Sequence, residues 1–546
     1  MRVVCISAEC EPWAKTGGLG DVVDALARAL GAAGQAGEER PATSGPEGWP
    51  GAEGAPTPEA TRVPQSQIWM GTGAVMAVGQ GEPDVAAHVE PPVDVFLPRY
   101  RGMAVPAGAT SRPLDVPDPL AESGTTEVAL VEFEARGYRI RLIDHPPAFD
   151  RAGYYGDASG DYPDNGWRFG LLCRGAIEAL LADDRPVDVL HLHDWQSMPA
   201  VLLRDLAYQA YPLISRAAVM VTIHNLAYQG WIPGRDAAGM LFADELTQAL
   251  PAHAEGLLLL GEGIGRAELV NTVSPGYAQE ILTPGAGMGL DTALTALGHR
   301  FGGILNGLDM TVWDPETDRA LAERYSRADL AGKAACRRAL LIEMGFDPDD
   351  TGPVLGMIGR LDPQKGFDLL AGAAPTLVAE GARLAVLGTG DPKLVGNLRE
   401  LAAEHPRSVA VVEAFDRGLA RRIYAGADLF VMPSRFEPCG QGQMIAMRYG
   451  TPPIVHRTGG LADTVLDVDD RPDEGTGFVH EAATTKALLD ACRRAMARFR
   501  AGGEEWAALR DRGMVIDWSW ESGPAEQYAA SYRRAISIRR ENRGQL

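Results

Sequence analysis

Short β-branched runs and amphipathic helical stretches take turns along almost the whole of this 546-residue chain. Val187-Asp-Val-Leu-His-Leu-His193 and Ala218-Val-Met-Val-Thr-Ile-His224 read as strands, with a helix pattern from Pro199 to Tyr208 between them. Leu269 to Ser274, Val354 to Gly359, Leu384 to Gly388, Val409 to Val412, Leu429 to Met432 and Pro453 to Val455 continue the series. Such alternation implies parallel sheets covered by helices, because parallel neighbours can be joined only by a crossover. The length exceeds what one core holds, and two runs separate near Asn306 to Asp314. The expected fold is α/β: two doubly wound, Rossmann-like domains facing across a cleft, with ligands bound off the carboxyl ends of the strands.

One segment breaks the texture. From about Gln35 to Pro92 the chain is rich in Gly, Pro, Ala and Glu, with too few large apolar residues to offset the entropy of ordering. It reads as a flexible acidic insertion, relieved by an apolar island from Ile68 to Val78, before a second strand at Val93 to Pro98.

The net charge of −22 argues against nucleic acid or an anionic membrane as partner, since both demand a basic face. No apolar run is long enough to span a bilayer. The chain starts in a strand rather than a leader pattern, and its six scattered cysteines form no C-x-x-C pair. Both features lead us to expect a reduced, cytoplasmic protein.

Trp13-Ala-Lys-Thr-Gly-Gly-Leu-Gly-Asp-Val-Val23 follows the first strand-like run and opens an amphipathic helix through Val22, Val23, Leu26 and Leu30. A P-loop lysine follows its last glycine, whereas Lys15 precedes Gly17 and Gly18. The G-x-G-x-x-G spacing is absent here too. The loop can meet an anion at a helix start, or be an ordinary turn beside a solvated lysine; its residues alone leave both readings open.

His191 and His193 share one face of a strand, with Asp194 opposite. H-x-H-D could begin a metal site, but only His224 ends a comparable strand and no further ligand cluster completes the set. A polar binding site, or buried histidines with satisfied hydrogen bonds, are the other readings. In Gly359-Arg-Leu-Asp-Pro-Gln-Lys-Gly366, Arg360 and Lys365 share a short loop between strand and helix. They suit a diphosphate clamp, or are two surface charges. Met432 to Gly440 places Glu437 in a tight turn where a carboxylate suits sugar hydroxyls, and Arg457-Thr-Gly-Gly460 offers backbone N–H groups to an anion. Cations for phosphate, a carboxylate for sugar and glycine loops for close approach together read as a nucleotide-sugar site.

In number, order and spacing these motifs resemble those of bacterial glycogen synthases and plant starch synthases, over nearly the whole chain apart from the insertion. The resemblance rests on Lys15-Thr-Gly-Gly-Leu19, Tyr162-Pro-Asp-Asn165 with Arg168-Phe169, His193-Asp-Trp195 and Thr222-Ile-His-Asn225. It continues in Leu305-Asn-Gly-Leu-Asp309 before Trp313, Gly359 to Gly366, Ser434 to Gly440 and Arg457 to Asp463. It implies a retaining GT-B glycosyltransferase that needs no cofactor and no metal, moving glucose from ADP-glucose to the non-reducing end of an α-1,4-glucan such as glycogen. It also implies an N-terminal domain at 1–312, a nucleotide-sugar-binding domain at 313–518 and a C-terminal helix at 519–546 returning to the first domain.

Roles follow from the resemblance residue by residue. Arg360 and Lys365 would stabilise the departing diphosphate, while Glu437 and Cys439, followed by Gly440, would hold the glucose. Lys15, Gly17 and Gly18 would complete the donor site from the opposite domain. His193, Asp164 and Asn306 would line the reacting centre, Tyr424 would pack on adenine, and Thr458 and Gly459 would meet the distal phosphate. The chain departs from the family in its insertion and in Gln441-Gly-Gln-Met-Ile445, where Leu-x-Gln-Leu-Tyr is usual. A related transferase using UDP-glucose or another acceptor, and an inactive glucan-binding paralogue, are the alternatives. A nicotinamide oxidoreductase is disfavoured by the missing dinucleotide fingerprint.

Overall fold

The computed structural model describes residues 1–38, 93–157, 160–233 and 256–544. Of the expected insertion at 35–92, residues 35–38 end the first helix, Gly18–Glu38; residues 39–92, with the apolar island, lie outside the described residues.

The first sheet contains β1 (Val3–Ile6), β2 (Val93–Pro98), β3 (Thr110–Pro117), β4 (Thr125–Glu134) and β5 (Tyr138–Asp144). It also contains β6 (Val189–His193), β7 (Ala218–Ile223), β8 (Leu269–Thr272) and β9 (Phe301–Gly303), in the order β9-β8-β7-β6-β1-β2-β5-β4-β3. The second sheet has β10 (Val354–Ile358), β11 (Arg383–Leu387), β12 (Val409–Val412), β13 (Leu429–Met432), β14 (Pro453–His456) and β15 (Phe478–His480), in the order β12-β11-β10-β13-β14-β15. Every pairing in the second sheet is parallel.

Burial on both faces explains why these strands are continuous apolar runs. Along β1, Val4 and Ile6 enter one core cluster while Val3 and Cys5 enter the cluster on the other face. Val22, Val23, Leu26 and Leu30 of the first helix join the second of these. The antiparallel edge β3-β4-β5 has no counterpart among the expected strands. Its outermost member, Thr-Ser-Arg-Pro-Leu-Asp-Val-Pro, is mostly solvent-facing and carries two prolines, which an edge strand tolerates but an apolar pattern does not announce.

The C-terminal helix Pro524–Gly544 packs on the first sheet, burying Tyr528 and Tyr532 completely in its core. Tyr528 Oη accepts from Asn271 Nδ2 at 3.2 Å.

The second domain encloses a lysine whose pKa burial lowers to about 7. Lys333 is buried, and its Nζ donates to the carbonyls of Ala425 (2.9 Å), Ala427 (3.3 Å) and Tyr449 (3.0 Å) and to Thr451 Oγ1 (2.7 Å). This ties the helix Ala331–Glu343 to the segments flanking β13 and β14. Lys333→Met removes the donors and strands the acceptors, a loss on the order of 3 kcal/mol. We expect a lower thermal unfolding midpoint; an unchanged one would show that the amine is dispensable.

Candidate functional site

Each sheet reverses its winding at one place, and such switch points leave a crevice off the strand ends. In the second sheet it lies between β10 and β13, so the loops Gly359–Gly366 and Pro433–Gly440 face each other. They interlock: Arg435 N–H donates to the Gln364 carbonyl (2.7 Å), and Gln364 Nε2 donates to the Phe436 carbonyl (3.1 Å). Gly366 has φ +73°, and a Cβ there would lie 2.4 Å from the Pro433 carbonyl oxygen, so only glycine closes this junction. Asp362 caps the turn by accepting from Lys365 N–H (3.1 Å). The result is that Lys365 Nζ meets Glu437 Oε2 at 2.6 Å, and Ser434 Oγ donates to the same oxygen at 3.0 Å. Arg360 pairs with Asp362 and lies within electrostatic reach of Glu437 and of Tyr228 in the first domain.

In the first sheet the switch point lies between β1 and β6, and the loops there carry Lys15 and His193. Buried Glu9 organises the first loop. It accepts from Thr16 N–H (2.6 Å), Thr16 Oγ1 (2.6 Å), Gly17 N–H (3.2 Å) and Tyr155 Oη (2.6 Å). A Cβ on Gly17 or Gly18 would meet nothing within 4 Å, so internal packing does not require glycine at either position. The space beside both backbones is open. Lys15 pairs with Asp21 and lies 3.7 Å from Glu11, which Arg417 of the second domain grips at 2.6 and 3.1 Å.

The second loop is pinned by Asp194, at φ +54°, whose Oδ1 accepts from His224 N–H at 2.7 Å; burial pushes this carboxyl up to about 7. His193 Nδ1 lies 3.0 Å from His224 Nε2, and among the described residues the buried His193 Nε2 has no partner. Cys5, His191 and His193 offer atoms within 4.8 Å of one another, which revisits the metal reading. The Thr222 hydroxyl gives its proton to Asn271 Oδ1 (2.6 Å), so it accepts from His191 Nε2–H (2.7 Å). Tyr532 Oη–H then donates to His191 Nδ1 (2.9 Å). Both nitrogens of His191 are thus engaged, and burial pushes the Cys5 thiol up to about 12. The trio does not fit a metal without breaking this network.

Between the domains lies a cavity of about 870 Å³. Lys15, Arg360, Tyr424, Gln441 and Ile445 all line it, as do Leu387 to Thr389 beyond β11 and Ala414 to Arg417 beyond β12. Asn306 lies near enough to Cys439 to act on its thiol, and among the described residues its buried Oδ1 has no partner. Gly440 takes φ +72° at the end of the Glu437 turn. Asp164 is held by Arg151 at 2.8 and 2.5 Å.

The starch synthase catalytic domain model matches residues 2–36 and 69–296, and the glycosyl transferases group 1 model matches residues 352–498. Glycogen synthase 2 of Geobacter metallireducens is 43% identical over 404 residues, 73% of this chain and 83% of that relative. The glycogen synthase of Halorhodospira halophila is 38% identical over 547 residues, 99% of this chain and 100% of that relative. The catalytic domain of starch synthase IV from Arabidopsis thaliana, solved bound to ADP and acarbose, matches with a TM-score of 0.81 and 30% identity, covering 98% of this chain and 99% of that one. The chain belongs to the glycogen synthase family. It is a GT-B glycosyltransferase.

The family match resumes at residue 69, so most of the apolar island belongs to family sequence rather than to what interrupts it. Two expected ligand contacts are differently engaged. Thr458 Oγ1 (3.1 Å) and Gly459 N–H (2.7 Å) donate to Glu280 of the first domain, so these donors are not open to a phosphate. A Cβ on Gly459 would sit 2.1 Å from the Glu437 carbonyl oxygen, so close packing already demands this glycine. Glu9 and Glu280 escape a sequence reading. Glu9 does lie three residues beyond β1, on the segment that leads to the Lys15 loop, a position that marks it in retrospect; Glu280 carries no such signal.

Burial holds His191 and His224 down at about 3 and His193 well below its ordinary value. An imidazole whose folded pKa lies below its unfolded value takes up a proton on unfolding between the two, so stability falls as pH drops below about 6.5. His191→Gln should be less stable than the parent near neutrality. From about pH 6.5 to about pH 5 the gap should narrow by about 2 kcal/mol, because only the parent must keep that imidazole deprotonated. A gap independent of pH, measured by denaturant unfolding, would contradict this.

Proposed function

We propose that the chain transfers glucose from ADP-glucose to the non-reducing end of an α-1,4-glucan, with retention and without a metal. The carrying observation is the Lys365–Glu437 pair, formed where the loops after β10 and β13 meet, with Arg360 of the first of these loops lining an interdomain cavity whose size suits a nucleotide sugar. In the reaction the bond from C1 of glucose to the diphosphate oxygen breaks. The acceptor 4-hydroxyl oxygen bonds C1 on the same face and gives its proton to the departing diphosphate oxygen. Charge grows on the departing diphosphate, where Arg360, Lys365 and Lys15 supply preorganised cations in the role a metal would otherwise take.

Glu437, fixed by Lys365 and Ser434, keeps acceptor capacity for glucose hydroxyls. Tyr424, edge-on to Trp313 at 5.9 Å between centroids, offers the adenine an aromatic wall. The unpartnered His193 Nε2 and Asn306 Oδ1 are the groups available to the sugar at the reacting centre. The binding of ADP and acarbose by the starch synthase of similar structure supports both halves of the reading. All six cysteines are free and buried, which suits a cytoplasmic setting. Among the described residues no helix is long and apolar enough to cross a membrane.

Incubation with glycogen and radiolabelled ADP-glucose, with UDP-glucose in parallel, tests the donor and the reaction together. Label should enter polymer from ADP-glucose and be unaffected by EDTA; incorporation only from UDP-glucose would select the alternative donor. Lys365→Ala and Arg360→Ala should each lower kcat about a hundredfold or more, the usual effect of deleting one transition-state donor. Near-parental turnover in either folded variant would remove the clamp assignment.

A further inference from the structure

The helix Pro275–Glu280 follows β8 in the first domain, yet its polar groups reach into the second. Ser274 Oγ donates to the Pro438 carbonyl at 2.6 Å in a buried bond. Gly276 N–H donates to Asp463 at 2.7 Å. Glu280 accepts from Gly459 N–H at 2.7 Å and from Thr458 Oγ1 at 3.1 and 3.2 Å. These contacts converge on one loop. Pro438 directly follows Glu437, and Gly460 N–H donates to the Glu437 carbonyl at 3.0 Å. Gly459 packs so tightly on that same carbonyl that no side chain fits between them. From the Glu280 carboxylate to the main chain of Glu437 the path therefore crosses a single residue, Gly459.

We propose that Glu280, assisted by Ser274, is a positioning residue: through Thr458 and Gly459, the first domain holds the turn that aims Glu437 at the donor sugar. The inference rests on the glucosyl-transfer reading above. Lys365 and Ser434 fix the carboxylate end of Glu437, but the main chain that carries it is fixed by Gly460 N–H and by Ser274 Oγ. A carboxylate accepting from a backbone N–H makes a charge-assisted bond of the stronger kind. The same observation argues against a distal phosphate at Thr458 and Gly459, because it would have to share those donors with a like charge. Sugar geometry in the second domain is thus set by contact with the first, while ADP, bound along the cavity by Arg360 and Tyr424, does not depend on that contact.

The experiment compares the parent with Glu280→Ala and Glu280→Gln in the full chain. Read-outs are kcat and KM for ADP-glucose, Kd for ADP, and amide hydrogen exchange across Ser434–Gly440. Glu280→Ala should lower kcat about tenfold or more, the loss of one charge-assisted bond, while Kd for ADP shifts by less than about twofold. Exchange across Ser434–Gly440 should quicken. Glu280→Gln keeps an acceptor oxygen and should recover kcat to within about threefold of the parent, with parental exchange. Parental kcat or parental exchange in Glu280→Ala overturns the proposal. So does a loss of ADP affinity that parallels the loss of kcat, or a failure of glutamine to rescue. A parent that moves glucose from neither nucleotide sugar refutes the transferase reading alone, and the exchange data still decide whether Glu280 positions the turn.

Discussion

The contact between Lys365 and Glu437 makes demands on both domains. An ammonium and a carboxylate 2.6 Å apart and partly buried keep their geometry only if neither can swing back to water. Glu437 is 5% exposed, with Ser434 as a second donor to its oxygen. Lys365 rides on a turn capped by Asp362 and closed by Gly366 against Pro433. That turn exists because β10 and β13, far apart in sequence, are neighbours in the sheet. The parallel topology is therefore what brings the two loops together.

Much of this was legible in the sequence, for a physical reason. Strands buried on both faces have no polar positions to blur their apolar runs, so β6, β7, β10 to β14 and their carboxyl ends stand out. The motifs lie at those ends, where open α/β sheets bind their ligands. What stayed hidden depends on tertiary partners. The β3-β4-β5 edge is half solvated and carries prolines, so its pairing leaves little trace in hydropathy. Thr458 and Gly459 read as an anion site because a Thr-Gly-Gly turn can bind an anion; the anion it binds here is Glu280, from a helix about 180 residues earlier. Glu9 hides likewise, its four donors coming from the next loop and from Tyr155.

The histidines show how a motif can be read correctly as polar while its chemistry stays ambiguous. H-x-H at a strand end is compatible with a metal, and the side chains do come within ligating distance of each other and of Cys5. The decision falls to Thr222, Asn271 and Tyr532, which fix the tautomer of His191 and use both of its nitrogens. Tyr532 belongs to the C-terminal helix. The C-terminal helix thus determines the proton arrangement at the carboxyl end of β6.

The cleft cations share one property. Lys15 has Asp21, Arg360 has Asp362, Lys365 has Glu437 and Arg417 has Glu11. In a chain of net charge −22 these residues could not attract a diphosphate by overall field; the pull must be local. Pairing each cation with a carboxylate keeps four positive charges close together without mutual repulsion, and holds each side chain in place before a ligand arrives. On the proposed reading an entering diphosphate would compete with carboxylates for donors that are already oriented, leaving little reorganisation for the reaction itself. The Arg417–Glu11 pair spans the two domains beside Lys15, so the ion pairing that orients the cations also joins the walls of the cleft.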